Sequence, residues 1–263
     1  MWKTYPITKW QDFISVLEQM HIHKDDMVWY LRGQADNGWE LDPSLRRSLS
    51  NANINRDKAH GIEFSAFQRF QSQAHLHIAS STTGLGARQN IAWWMLMQHH
   101  SCPTRLLDWT LSPYVAAYFA VEKMPKVDGA VWFFNAPHLD TIMSKRYGKM
   151  NELDSTAYFA EYPIAAVYPI LGGQHSQRSV AQQGTYTVST DIFADHGGLI
   201  AEAFTTEKLH SSFGKLTIPG ELKYDFLSRL RTMNITASAL FPGIDGVGRA
   251  ISEHVHLRIW SKI

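Results

Sequence analysis

Residues 98–110 of this protein read QHHSCPTRLLDWT. This stretch places two histidines, one arginine, one aspartate and two threonines within thirteen positions. These polar residues follow neither a helical nor a strand period, which argues against an amphipathic surface helix. We therefore predict a polar loop between buried elements, and loops of this kind often carry binding and catalytic residues.

Two interpretations of Arg105 and Asp108 remain open within this stretch. The two side chains form either a buried ion pair that only fixes the loop, or a pair beside a pocket with a role in function. His99 and His100 are metal-ligand types, but adjacent histidines point in different directions and no carboxylate follows at ligand spacing. We therefore predict a site without a metal ion.

A second motif lies nearer the start of the chain. Met27–Leu31 is a short apolar and aromatic run that predicts a strand, and Arg32 and Gly33 follow it. Glycine lets the backbone turn and lets a ligand approach closely. The guanidinium fork suits a phosphate or pyrophosphate group. The alternative is that Arg32 pairs with a nearby carboxylate, either Asp36 or Glu40.

The remaining chain alternates helical and strand signals without a linker, a repeat or a low-complexity tract. Helices are predicted after a Thr8–Gln11 capping box, over Asp57–Ile78, from an Asn90 cap, from the Ser112-Pro113 cap through Val121, over Glu221–Met233, and after Asp245 with Val247, Ile251 and Val255 as its apolar positions. Strands are predicted at Ala130–Phe134, at Leu216–Ile218 and at Gly184–Ser189, where Tyr186 and Val188 alternate with threonines, and a small-residue loop is predicted at Ser80–Gly86. Helices dominate the first half and strands the second, so we predict one α+β domain over residues 1–263.

Composition limits the class of protein. The net charge is +1, with 44% hydrophobic and 19% charged residues, which excludes a strongly basic nucleic-acid coat and an acidic tail protein. Cys102 is the lone cysteine and fits a reducing compartment. The sequence shows no secretory signal and no apolar run long enough for a membrane span. We therefore expect a soluble cytoplasmic protein without a membrane partner.

The two motifs carry a family resemblance. The chain resembles the FRG family, whose members share an Arg-Gly-Gln start, a Gln-His-x-x-x-Pro-Thr-Arg-Leu-Leu-Asp-Trp-Thr block, a Tyr-Phe-Ala helix end and a late Ala-Gln-x-Gly segment. Here these are Arg32–Gln34, Gln98–Thr110, Tyr118–Ala120 and Ala181–Gly184, in that order, and the tail Phe241–Gly246 extends the resemblance over nearly the whole chain. The chain departs from the family pattern at two positions. Leu31 stands at the usual aromatic position, and Ser101 replaces a frequent glycine.

The order of motifs is also similar, more distantly, to that of the arginine-type ADP-ribosyltransferases. In that superfamily the arginine holds NAD, a Ser/Thr strand motif and a nicotinamide-stacking aromatic follow, and a late Glu or Gln completes the site. The resemblance implies an ADP-ribosyltransferase-like mixed β core with a helical N-terminal half, and NAD as co-substrate. It implies contacts to NAD from Arg32, Gly33, Gln34, Arg105, Tyr118 and Phe119, and catalytic roles for His99, Asp108, Thr110 and Gln183.

The implied chemistry constrains the roles of these residues. Breaking the nicotinamide–ribose bond builds positive charge on the ribose, so the site needs a cation for the pyrophosphate, an aromatic platform and a hydrogen-bond acceptor. Arg32 would bind the pyrophosphate, Tyr118 would stack, and Gln183 or Asp108 would orient the ribose or the acceptor. A glutamine cannot act as a general base. The usual glutamate is not evident, since no motif accompanies Glu202 or Glu207.

The function expected from the resemblance is transfer of ADP-ribose from NAD to a macromolecule, as a bacterial toxin or antiviral defence effector with an antitoxin protein as a further partner. We favour nucleic acid, above all RNA, over protein as the acceptor. Nine tryptophans and thirteen histidines are many for this length, and aromatic faces beside arginines stack unpaired bases. Two alternatives remain: a nuclease or other phosphodiester enzyme using His99, His100 and Arg105, and a non-catalytic nucleotide- or RNA-binding module.

Overall fold

The computed structural model describes residues 1–22, 27–74, 76–77, 89–150, 165–170 and 176–260. Within these ranges the chain forms a seven-stranded mixed sheet with helices on both faces, which confirms the α+β class. The strands are β1 (Thr4–Pro6), β2 (Trp29–Gln34), β3 (Leu106–Thr110), β4 (Gly129–Asn135), β5 (Val167–Ile170), β6 (Gly184–Ser189) and β7 (Phe213–Ile218). The helices are α1 (Trp10–Gln19), α2 (Ser44–Asn51), α3 (Arg56–Ala74), α4 (Gln89–His99), α5 (Pro113–Val121), α6 (Ala136–Tyr147), α7 (Gln177–Ala181), α8 (His196–Thr206), α9 (Lys223–Thr232), α10 (Ala237–Leu240) and α11 (Ile244–Trp260).

The strands lie in the order β1-β7-β4-β2-β3-β6-β5. Strands β1 and β7 are parallel, and every other neighbouring pair is antiparallel. Strands β1, β2 and β3 come from the first half of the chain and the other four from the second. The sheet therefore draws on both halves of the sequence rather than on the second alone.

Strand alternation divides the interior into two hydrophobic cores, one on each face of the sheet. On β2, Tyr30 points into a core shared with α3, α4, α6 and α8. Its neighbours Trp29 and Leu31 point into a core shared with α1, α5, α9, α10 and α11. Both faces are thus covered, and the sheet forms the middle layer between two layers of helices.

Helix starts agree in part with the capping signals in the sequence. Ser112 caps α5 as predicted, because its hydroxyl accepts a hydrogen bond from the Val115 amide. The box at α1 uses Asp12 rather than Gln11, since the Asp12 carboxylate accepts bonds from the Thr8 amide and hydroxyl. Asn90 is not a cap, because α4 already includes Gln89. The predicted end of α3 at Ile78 and the loop Ser80–Gly86 lie outside the described residues.

The predicted strands lie close to the observed ones, but the prediction of which face of β6 is exposed is wrong. Strand β2 begins and ends later than the predicted Met27–Leu31, and β6 has the predicted bounds. On β6, however, Thr185 and Thr187 are buried, while Tyr186 is half-exposed. Both threonine hydroxyls are hydrogen-bonded, which makes their burial possible.

The helix following Asp245 is present as α11, but its predicted apolar face is wrong. Val247, Ile251 and Val255 are 49–61% exposed. Helix α11 instead packs through Gly246, Glu253 and Leu257. Gly246 lies so close to the preceding turn that a Cβ there would come within 1.7 Å of the Phe241 carbonyl oxygen. Close backbone contact therefore decides which face of this helix is buried.

The stretch at residues 98–110 is not one loop. Gln98 and His99 end α4, and Leu106–Thr110 forms β3 near the middle of the sheet. Asp108 is the exposed position of an otherwise buried strand. Among the described residues, no helix is both long and apolar enough to cross a membrane.

Replacing Gly33 with alanine tests the close packing of α5 on β2. A Cβ at residue 33 would lie 1.9 Å from the Ala116 carbonyl oxygen and 2.7 Å from the Ala120 nitrogen, both backbone atoms that cannot rotate away. We expect Gly33→Ala to lower the free energy of unfolding by about 3 kcal/mol or more, measured by urea denaturation. Gly61→Ala on α3 is the matched control, because nothing lies within 4 Å of its added Cβ. It should be neutral or stabilising, and equal losses in the two variants would contradict the packing argument.

Candidate functional site

The sheet opens between β2 and β3. Strands β2 and β4 pair along their full length, from Trp29–Asn135 to Gln34–Ala130, whereas β2 and β3 pair only at Leu31 and Thr110. Continued pairing would place Gly33 opposite Asp108. Instead, the Arg32 side chain occupies the gap, and its Nη1 donates a 2.7 Å hydrogen bond to the Asp108 carbonyl oxygen.

A cleft of about 240 Å³ lies at this opening. Helix α4 from one helical layer and α5 from the other both reach it, because the separated strands leave access from both faces. Its lining residues are Leu31, Arg32, Gly33, Gln98, His99, Asp108, Trp109, Thr110, Phe119, Ser176, Arg178, Ser179, Gln182, Gly184 and Tyr186. Six residues singled out by the sequence thus meet there: Arg32, Gly33, His99, Asp108, Thr110 and Phe119.

Arg32 lines the cleft and is partly buried. Its Nε is buried and has no hydrogen-bond partner among the described residues. The pairing with Asp36 or Glu40 is not observed, and within the described ranges Arg32 forms no ion pair. Burial lowers the pKa of Arg32, and the nearby Asp108 carboxylate opposes that shift. A partly buried guanidinium that lines a cleft and has no ionic partner favours binding of an anion there.

Asp108 presents its carboxylate at the cleft. It lies opposite Tyr186 in the pairing of β3 with β6, so both side chains project from the same face of the sheet. Burial raises the pKa of Tyr186 to about 12, and the charge of Asp108 contributes to the rise. Asp108 makes no ion pair in the described part of the chain.

The predicted pairing of Arg105 with Asp108 is wrong. Arg105 is 1% exposed and pairs with Glu63 on α3 through two N–H···O bonds, of which Nε–Oε1 is 2.7 Å. Its Nη1 donates to the Ser189 and Thr190 carbonyl oxygens at 3.2 Å. Residues three apart in an extended chain point to opposite faces, which separates Arg105 from Asp108. Arg105 lies outside the cleft and cannot contact a ligand there.

Helix geometry separates Tyr118 from Phe119. Tyr118 is 1% exposed, and its hydroxyl donates a 2.8 Å hydrogen bond to Glu253 on α11. Burial, followed by the charge of Glu253, raises the pKa of Tyr118. Neighbouring residues on a helix point about 100° apart, so only one of the two can face the cleft. The expected platform role of Tyr118 is therefore wrong, and Phe119 is the aromatic residue of α5 in the cleft.

The predicted position of Gln183 at the site is also wrong. Gln183 is exposed, has a positive φ of 47° and does not line the cleft. Its neighbour Gln182 does, and its Nε2 donates to the Leu240 carbonyl oxygen at 3.0 Å. Thr110 Oγ1 donates to the Gln182 carbonyl oxygen at 2.7 Å and accepts a bond from the Ser112 amide. The Thr110 hydroxyl therefore positions the backbone around the cleft.

Other predicted residues have different positions. Gln34 is the buried last residue of β2. Its side-chain amide donates a hydrogen bond to the Glu40 carbonyl oxygen and accepts one from the Trp132 indole. Glu202 and Glu207 both pair with Arg146 and do not line the cleft. No carboxylate from α8 thus reaches the site.

His99 lies at the cleft end of α4. Burial lowers its pKa, with smaller contributions from His100 and Arg178, so the imidazole is neutral at pH 7. His100 is exposed on the neighbouring turn. No group of three or more histidine, cysteine, aspartate and glutamate side chains with metal-ligand geometry occurs in the described ranges.

Several cleft residues had no predicted role in the site, above all Arg178 and Tyr186. Arg178 lies three residues before the Ala181–Gly184 segment, and Tyr186 two residues after it, so a wider window around that segment would have included both. Beneath the cleft, the Trp109 indole bonds the Thr187 hydroxyl, which in turn bonds His196. Burial lowers the pKa of His196 to about 3, so this network is uncharged and fixes Trp109.

A comparison with known protein families finds a match over part of this chain. Residues 27–129 match the FRG domain. The matched range contains β2, α4, β3 and α5, and thus the Arg32, His99, Asp108 and Phe119 side of the cleft. No curated protein and no solved structure matches the chain significantly.

The corrected partner of Arg105 gives a stability prediction. Glu63→Gln removes the negative charge beside a buried guanidinium, and we expect a loss of about 3–5 kcal/mol of unfolding free energy. Asp108→Asn is the control, because Asp108 is exposed, and it should change stability by no more than about 0.5 kcal/mol. Thermal and urea denaturation measure both variants. A larger loss for Asp108→Asn than for Glu63→Gln would restore the Arg105–Asp108 pairing.

Proposed function

We propose that the cleft between β2 and β3 binds NAD and that the protein transfers ADP-ribose from it to a macromolecule. One observation carries the proposal: the partly buried Arg32 guanidinium has no ionic partner among the described residues and lines a cleft that also holds the Asp108 carboxylate. An anion-binding group beside a carboxylate suits a substrate with a pyrophosphate at one end and a developing positive charge at the other.

Each group in the cleft has a role in this chemistry. Arg32 binds the pyrophosphate through its guanidinium fork, and Gly33 allows close approach to the backbone. Phe119 and Tyr186 border the space for the nicotinamide ring and stack on it. A cavity of about 240 Å³ accommodates the nicotinamide end of the substrate, with the adenosine end outside.

Asp108 acts at the reacting ribose. When the carbon–nitrogen bond to nicotinamide breaks, the bonding electron pair leaves with nicotinamide and positive charge develops on the ribose. The Asp108 carboxylate stabilises this charge. An oxygen or nitrogen of the acceptor then bonds to the same ribose carbon, and Asp108 takes up the proton that this atom loses. Gln182, at the edge of the cleft, can position the acceptor by hydrogen bonding but cannot remove its proton.

The acceptor in this proposal is a nucleic acid, RNA before protein, and modification of it would make the protein toxic to a bacterial cell. In that setting, an antitoxin partner would cover the cleft. Digestion of the labelled product identifies the acceptor. The protein is incubated with total cell extract and with NAD labelled in its adenylate part, and ribonuclease should then release the label. Label that resists both ribonuclease and deoxyribonuclease but disappears with protease would identify a protein acceptor.

A second function draws support from His99. A neutral imidazole in the same cleft as Arg32 provides the groups of a metal-independent phosphodiester enzyme, with His99 as the base and Arg32 on the phosphate. RNA cleavage without NAD, lost in His99→Ala, would identify this activity. If the protein is a binding module without catalysis, it will bind nucleotide without turnover, and Arg32→Ala will not relieve toxicity.

Arg32→Lys tests the fork geometry of the proposed anion site. Lysine keeps the charge but offers no bidentate donors, so we expect NAD-dependent labelling to fall by about a hundredfold or more. Arg69→Lys, at an exposed position on α3, is the control and should label at the wild-type rate. Circular dichroism and melting temperature verify that both variants are folded. Retention of turnover in Arg32→Lys would exclude a bidentate contact.

Asp108→Asn separates binding from chemistry. Because the carboxylate is required only as positive charge develops, we expect kcat to fall by about a hundredfold while the KM for NAD changes by less than about threefold. Steady-state release of nicotinamide measures both constants. A raised KM with unchanged kcat would instead assign Asp108 to substrate binding.

A further inference from the structure

Two arginines flank one buried aromatic ring at the mouth of the cleft. The guanidinium carbon of Arg178 on α7 lies 4.9 Å from the centre of the Phe241 ring, and that of Arg249 on α11 lies 4.1 Å from it. Phe241 is 5% exposed and contacts Phe119 edge-on, with 6.1 Å between ring centres. The arginine pair is therefore continuous with the cleft, which both Phe119 and Arg178 line.

Both arginines remain available to a ligand. Their side chains are exposed, and neither forms an ion pair within the described ranges. Glu253 lies one helical turn after Arg249, but its carboxylate accepts the Tyr118 hydroxyl at 2.8 Å and faces Arg231 at 4.0 Å. The usual i, i+4 partner of Arg249 is thus already engaged.

Stacking prepares these guanidinium groups for phosphate. A guanidinium held against an aromatic ring by a cation–π contact loses little further freedom on binding a phosphate. Because both guanidinium carbons lie against the same ring, 4.9 and 4.1 Å from its centre, neighbouring phosphates of one strand can reach both groups. The overall charge is only +1, so this local pair, rather than the whole surface, would attract a polyanion.

We propose that Arg178 and Arg249 bind consecutive backbone phosphates of a single-stranded nucleic acid, which places one of its nucleotides at the cleft. A single strand is favoured because a cleft of about 240 Å³ cannot admit a duplex, and an unpaired nucleotide at its mouth can approach a ribose held inside. The proposal rests on the proposed function, because it takes this strand as the acceptor of ADP-ribose. The binding site itself requires no NAD.

The experiment compares Arg249→Gln with Arg69→Gln, which removes the same charge from an exposed position on α3 in the other helical layer. Fluorescence anisotropy of a labelled single-stranded RNA of mixed sequence gives the affinity of each protein at several salt concentrations, without NAD. We expect Arg249→Gln to weaken binding by about fivefold and to reduce the slope of log affinity against log salt by about 0.7, the value for one phosphate contact. Arg69→Gln should match the wild type in both.

Competition with single-stranded DNA, duplex RNA and polyglutamate identifies the ligand class. Both single strands should compete, and the duplex and polyglutamate should compete poorly. Failure of the wild type to bind at low salt, equal losses in the two variants, or equal competition by polyglutamate would each overturn the proposal. Absence of NAD turnover in a wild-type protein that still binds the strand would affect only the proposed function.

Discussion

The single pairing of Leu31 with Thr110 is the constraint on which the candidate site depends. Beyond it, β2 follows β4 and β3 follows β6, so two well-paired halves of one sheet separate at its middle. Backbone groups at such an opening need other partners. Arg32 supplies one by bonding the Asp108 carbonyl oxygen, and this bond also holds the guanidinium inside the opening. One side chain thus both completes the sheet and supplies the proposed anion-binding group.

Buried polar contacts on each side keep the opening in place. On one face, the Arg105–Glu63 pair ties α3 to the loop before β3 and to the end of β6. On the other face, the Tyr118–Glu253 bond ties α5 to α11. Lys223 adds a third tie, because its buried ammonium donates to the carbonyl oxygens of Ala35, Lys123 and Met124. Each contact joins elements distant in sequence, so the fold fixes the cleft from outside it.

The sequence predicted what depends on local pattern and missed what depends on distant partners. The Ser112-Pro113 cap, the bounds of β6 and the strand at Ala130–Phe134 follow from neighbouring residues, and the structure confirms them. The partner of Arg105 could not be predicted, because Glu63 lies 42 residues earlier and no local rule connects them. The choice between Tyr118 and Phe119 depends on how α5 is rotated against β2. The buried face of α11 depends on Gly246, which carries no hydrophobic signal. The FRG motifs contain several of the residues that line the cleft, but which side chains pair with each other depends on contacts between elements distant in sequence.

The contact of α5 with Gly33 has a consequence for how the cleft adapts to a ligand. Because helix backbone meets strand backbone there, the α5 wall has no side-chain layer that could compress or slide. The opposite wall is formed in part by α7, a helix of five residues, which is too short to be stable by its own hydrogen bonds. The cleft therefore has one stiff wall and one compliant wall. Induced fit to substrates of different size will take place on the Arg178 side, and hydrogen exchange in α7 will slow on binding while exchange in α5 stays the same.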